Sequence, residues 1–132
     1  MPERETPTDV LIAREGLRLQ DMGPAPMIGT SSLRRGAQLL HIRPDVQIVP
    51  LRGNLDTRLR KLTEENLDAI VLAAAGVKRL GLAGRITEYL PPDVMLPAVG
   101  QGALCIETRL ADPVITPLVS ALNHAGTRSA VL

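Results

Sequence analysis

Aromatic side chains are nearly missing from this chain: Tyr89 is the only one, and there is no Phe or Trp. That argues against a nucleic-acid reader that stacks bases on rings, and it requires a core built from aliphatic residues. Cys105 is the single cysteine, which excludes an internal disulfide and any multi-cysteine metal site. In the alternating run Ala103 to Glu107 it reads as a small buried hydrophobe rather than a nucleophile. His41 and His124 stand far apart, outside any recognisable ligand spacing, so no metal is assigned. No apolar run reaches membrane-spanning length, and Met1-Pro2-Glu3-Arg4-Glu5 does not read as a cleavable signal; a cytoplasmic protein with no membrane partner is the simplest expectation. Neither sign of charge is in excess, with 15 Lys and Arg against 14 Asp and Glu, so any basic feature has to be local.

What the chain does contain is a repeated unit of strand, polar turn and helix. With 132 residues and 45% hydrophobic content, one compact domain is the default. Asp9 to Ala13 and Met27 to Thr30 read as strands. Ser32 caps a helix in which Leu33, Ala37 and Leu40 recur at helical spacing and would face a sheet, and that helix has to finish before Pro44. Val46, Ile48 and Val49 form the next strand, and Asn54 caps a second helix with Leu55, Leu59 and Leu62 as its buried stripe. The apolar run Ala69 to Ala75 has the character of a central parallel strand covered on both faces, followed by a short helix through Val77, Leu80 and Leu82. After Pro91-Pro92 come a glycine-bearing turn at Gly100-Gln101-Gly102, a strand from Ala103 to Thr108 and a short helix from Pro117 to Asn123. The fold class expected is α/β: a three-layer domain with a mostly parallel central sheet.

Arginine recurs where strands hand over to turns or helices: Gly29-Thr30-Ser31-Ser32-Leu33-Arg34-Arg35, Leu51-Arg52-Gly53-Asn54-Leu55-Asp56-Thr57-Arg58 and Ala75-Gly76-Val77-Lys78-Arg79. Ligands of open α/β sheets sit beyond the carboxyl ends of the strands, where helix N-termini and turns expose N–H groups to anions. Arg34 and Arg35 fall in the first turn of a helix, where the dipole disfavours cations, so an anionic partner is expected. The pattern reads either as a cleft for a molecule with several carboxylates or phosphates or as a solvated charged surface; three sets at equivalent junctions favour the cleft. Asp56 could pair with Arg52 or with Arg60. No catalytic acid–base set is assigned, and neither a P-loop nor a dinucleotide fingerprint occurs.

These same segments, with Asp68-Ala69-Ile70-Val71-Leu72-Ala73, Lys78-Arg79-Leu80-Gly81-Leu82 and Leu96-Pro97-Ala98-Val99-Gly100-Gln101-Gly102-Ala103, closely resemble the porphobilinogen deaminase (hydroxymethylbilane synthase) family, in order and from about Thr6 to Val131. The resemblance implies a parent enzyme of three domains, the first two similar to lobes of periplasmic binding proteins. That enzyme joins porphobilinogen molecules head to tail into hydroxymethylbilane, with release of ammonia, on a dipyrromethane cofactor. This chain would be the second domain with incoming hinge (9–98) and a returning crossover strand with part of the first domain (99–132). Thr30, Ser32, Arg34 and Arg35 would hold cofactor carboxylates, and Arg52, Arg58 and Arg79 those of porphobilinogen or the growing pyrrole chain. The family's catalytic aspartate would lie before this chain and the covalent attachment site after it, so Cys105 would not be that site and the isolated chain would be inactive. The partners implied are the missing first and third domains, in a monomeric parent.

Overall fold

The computed structural model describes residues 1–132. Its centre is a sheet of five strands, β1 (Asp9–Ala13), β2 (Met27–Gly29), β3 (Gln47–Val49), β4 (Ala69–Ala73) and β5 (Glu88–Leu90), in the order β3-β2-β4-β1-β5. β2 pairs in parallel with β3 and β4, but β1 runs antiparallel to both β4 and β5. The sheet is therefore mixed: β2, β3, β4 and β5 run in one direction, and β1 alone runs against them. The reason lies in β1: it reaches the sheet directly rather than through a crossover helix, and only such crossovers impose parallel pairing.

Helices cover both faces. α1 (Leu33–Ile42) packs on one side, where Leu39 meets Leu11, Ile28, Val46, Ala69 and Val71. α2 (Leu55–Glu64) and α3 (Ala74–Arg79) pack on the other, where Leu59, Leu62 and Val77 join Val10, Ile12, Ile70 and Leu72. Alternate residues of β1 and β4 thus feed opposite cores, as the pleat of a strand requires. The two expected helix caps are present: the Ser32 hydroxyl accepts from the Arg35 amide and Asn54 from the Thr57 amide. α1 ends at Ile42, ahead of Pro44.

The packed face of α1 differs from the expected one. Gly36 and Leu39 are buried, while Leu33 is 91% exposed and Leu40 and Ala37 also face outward. The helix is turned by one residue, roughly 100°, from the apolar stripe. On this turn Arg35 makes an ion pair into the edge of the sheet, and Gly36 packs over Ile48 with room for a methyl group.

After β5 the chain leaves the sheet for good. No strand forms over residues 103–108, contrary to expectation, because no sheet edge lies beside them. Cys105 is exposed, which corrects its reading as a buried residue. α4 (Ile115–Ser120) buries nothing, and α5 (Ala125–Val131) buries only Thr127. That threonine accepts from the Arg4 amide and so ties the chain's end to its beginning. No helix is long and apolar enough to cross a membrane.

At the sheet end away from the arginine clusters, Arg43 donates to Asp45 and to the carbonyl oxygens of Leu19, Met22 and Gly23, while the Ala25 amide also donates to Asp45. The Arg43 guanidinium first, and the Ala25 amide second, hold the Asp45 carboxyl below its ordinary value of 3.8. A carboxyl depressed in the folded state contributes stability that is present above its unfolded pKa and is lost as pH falls through the folded one. Asp45→Asn is therefore expected to be less stable than wild type at neutral pH, with the gap closing as acid carries the pH down past 3.8. Urea midpoints across that range check this; a gap constant with pH would refute it.

Candidate functional site

The strand directions bring the chemistry to one end. Gly29 of β2 lies opposite Val49 of β3, and Ala73 of β4 lies opposite Asp9, which in turn lies opposite Leu90 of β5. The carboxyl ends of β2, β3, β4 and β5 and the start of β1 therefore form a single edge. From β2 the chain moves to β3 on one side through α1, then to β4 on the other through α2, so the order reverses between β2 and β4. Such a switch point opens a crevice, because the two helices depart to opposite faces.

Arg35 from the first turn of α1 and Arg58 from α2 line one cavity at this crevice, with Gly53, Asn54, Leu55, Leu72, Ala73 and Gly76. Its volume is about 330 Å³. Gly53 has φ +119°, a conformation that favours glycine, and its carbonyl accepts from Arg58 Nε at 2.8 Å. Arg52 lines a neighbouring cavity with Thr30, Ser31, Ser32 and Leu33. Thr30 is buried; its hydroxyl accepts from the Ser32 amide at 3.2 Å, which leaves the hydroxyl proton free to donate. Neither cavity is lined by a carboxylate.

Arg34 sits differently. Nη1 donates to the Leu96 carbonyl, and Nη2 to Asp9 Oδ2 at 2.7 Å and to Gln101 Oε1 at 3.3 Å. Both terminal nitrogens are thus engaged by the chain itself, while its Nε–H makes no bond within the chain. Arg79 is also apart, donating to the Gly102 carbonyl at 2.8 Å and lining a recess with Glu3, Arg4, Glu5 and Leu104. The Thr6 amide first, and the Lys78 ammonium second, hold the Glu5 carboxyl below its ordinary value there. Asp56 makes neither expected pair; Arg60 bonds Glu64 instead, at 3.3 Å.

The anion called for by two arginines in a helix's first turn is supplied in part from within. Asp9, fully buried, accepts from both, at 2.7 Å each. Gln101 adds a third donor, through Nε2 at 2.9 Å. Two guanidinium groups against one carboxylate still leave one positive charge in surplus. Neither Asp9 nor Gln101 was singled out from the sequence. The available signal was an acidic residue opening the otherwise apolar strand Asp9-Val10-Leu11-Ile12-Ala13, on the same edge as the uncompensated arginines.

Fold and edge together define an α/β domain that presents arginines and helix N-termini at a switch-point crevice. Comparison with known proteins makes the class specific. The family model described as "Porphobilinogen deaminase, dipyromethane cofactor binding domain" matches residues 1–116. The porphobilinogen deaminase of Pelobacter propionicus is 55% identical over 98% of this chain and 41% of its own length. Those of Geobacter metallireducens and Shouchella clausii are 54% and 56% identical, over 40% and 42% of theirs. The chain belongs to the porphobilinogen deaminase family, and it spans about two fifths of the length of these relatives.

One expectation is overturned here. The covalent attachment site of the cofactor was expected to be absent from this chain, yet the matching family model is described as the cofactor-binding domain and covers nearly all of it. That exclusion is withdrawn.

Proposed function

We propose that this chain forms the carboxylate-holding edge of a porphobilinogen deaminase, which assembles porphobilinogen into hydroxymethylbilane on a dipyrromethane cofactor. The observation that carries this reading is the meeting of Arg35, Arg58 and the Asn54 helix cap in one cavity, beside a second lined by Arg52, Thr30 and Ser32. Pyrroles bearing acetate and propionate groups match a set of fixed cations and N–H donors, and arginine keeps its charge at every physiological pH.

In this reading Arg35, aided by the hydroxyls of Thr30 and Ser32, holds cofactor carboxylates, and Arg52 and Arg58 hold those of the incoming or growing chain. Arg34, which also ties Leu96 and Gln101 to α1, adds a further cofactor contact, and Arg79, which also ties Gly102, a further contact to the growing chain. The cofactor, when bound, supplies the pyrrole to which each new unit is joined. The arginines contribute orientation: two carboxylates held at fixed points align adjacent rings for bond formation. With no carboxylate lining either cavity, proton transfer falls to groups elsewhere in the parent, so the isolated chain is inactive.

We also propose that residues 9–98 form one lobe similar to those of periplasmic binding proteins, and 99–132 a crossover that returns to another. The burial pattern supports this division, since after residue 103 only Thr127 is buried.

The test is a full-length protein containing this chain, assayed for porphobilinogen consumption and hydroxymethylbilane formation. Arg58→Ala is expected to raise KM by about 10-fold or more, the effect of a lost charge-assisted contact. Reversible porphobilinogen binding without turnover by wild type would favour a non-catalytic anion-binding module instead.

A further inference from the structure

Asp9 is the only charged residue of the chain that is buried. Its Oδ1 accepts from Arg35 Nε at 3.1 Å, Arg35 Nη2 at 2.7 Å and Gln101 Nε2 at 2.9 Å, and its Oδ2 accepts from Arg34 Nη2 at 2.7 Å. Burying a carboxylate is costly unless its lone pairs are taken, and an apolar residue in such a place is often as stabilising as the ion pair. The start of a strand at this edge does not need a charge. Two arginines that have to be held still do.

The geometry separates the two. Arg34 has both terminal nitrogens engaged, and its side chain is 26% exposed. Arg35 is more enclosed, at 11%, and it bonds Asp9 through Nε and Nη2, one edge of the guanidinium plane. Both donors converge on the one oxygen Oδ1, which holds that edge of the guanidinium against Asp9. Nη1 makes no hydrogen bond within the chain, and Arg35 lines the cavity it shares with Asn54 and Arg58.

We infer that Asp9 is a positioning residue for anion binding: it clamps Arg35 so that Nη1 faces a ligand carboxylate, and Gln101 completes the clamp. This rests on the reading of the edge as a carboxylate site. It makes a prediction opposite to simple electrostatics. Asp9 cancels one of two positive charges, so if it were only a competing anion, its removal would tighten the binding of carboxylates. If it served packing alone, its removal would lower stability and leave binding unchanged. Under positioning, binding weakens although the local positive charge grows.

The experiment uses the full-length protein with Asp9→Asn, which keeps the size and removes the charge. Two readouts are taken below the variant's unfolding transition: the fraction of folded, purified protein carrying dipyrromethane, by intact mass, and the KM and kcat for porphobilinogen per loaded molecule. The loaded fraction is expected to fall, and KM to rise about 10-fold, the scale of one misdirected charge-assisted contact, by more than kcat falls. Asp9→Glu, which restores the carboxylate, is expected to bring loading back toward wild type, and Asp45→Asn, at the far end of the sheet, to leave it unchanged. Should Asp9→Asn not fold, Gln101→Met removes one donor to the same carboxylate and is expected to lower loading and raise KM about 3-fold. Unchanged or increased loading in the variant that folds overturns the inference. Wild-type protein that neither carries dipyrromethane nor consumes porphobilinogen overturns the reading of the edge itself, and the inference with it.

Discussion

Leu39→Ala is expected to destabilise the fold by about 2–5 kcal/mol, while Leu33→Ala, on the same helix, stays within about 0.5 kcal/mol. Leu39 is fully buried between α1 and the sheet, against Ile28, Val46 and Val71. Cutting it back removes buried methyl groups and leaves a cavity in an aliphatic core that has no large ring able to shift into the gap. Leu33 opens the helix with most of its surface in water, so its truncation removes little contact. Urea unfolding of the two variants side by side measures the contrast. Similar losses for both would mean that α1 presents its apolar stripe to the sheet after all.

Gly102→Ala is expected to cost about 3 kcal/mol or more, combining a conformation unfavourable to L-residues with overpacking against backbone. Gly102 has φ +87°, and a Cβ there would clash with the Glu5 carbonyl oxygen and stand 2.8 Å from that of Thr6. Both obstacles are main chain, so no side-chain rotation relieves them. The incoming and outgoing segments lie side by side at this point, joined by the Glu5 amide donating to the Gly102 carbonyl at 3.2 Å. Hydrogen exchange locates the damage: protection of the Glu5 amide is expected to vanish while that of Ile70, in the central strand, persists. Wild-type stability with Glu5 still protected would show that the crossing tolerates a side chain.

Local signals made much of this architecture legible. Ser32 and Asn54 are caps with short polar side chains at the right offset, Pro44 limits α1, and the run from Ala69 has no polar residue to place on either face of a central strand. Each is decided by residues adjacent in sequence. What escaped was decided across the fold. The rotation of α1 goes with an Asp9–Arg35 contact between residues far apart in sequence, and helical spacing alone cannot choose between stripes one residue apart. The direction of β1 depends on how the chain travels from Ala13 to Met27, a path that no periodicity describes. The candidate site was legible as a set of arginines, because their positions after strands are a local pattern. The division between Arg35, which faces a cavity, and Arg34, whose terminal nitrogens bond Leu96, Asp9 and Gln101, depends on the returning turn and could not be seen before that turn was placed.

The near absence of aromatic side chains has an optical consequence. Tyr89, half exposed on edge strand β5, is the chain's only strong near-ultraviolet chromophore, and no indole exists to fluoresce. Unfolding of the isolated chain is therefore all but invisible to intrinsic fluorescence, except through whatever happens around β5. The same darkness is an advantage at the arginine edge. A conjugated carboxylate probe that absorbs in the near ultraviolet, seated there, would do so against a nearly blank background, so its own spectrum, rather than a perturbed protein signal, would report how it is held.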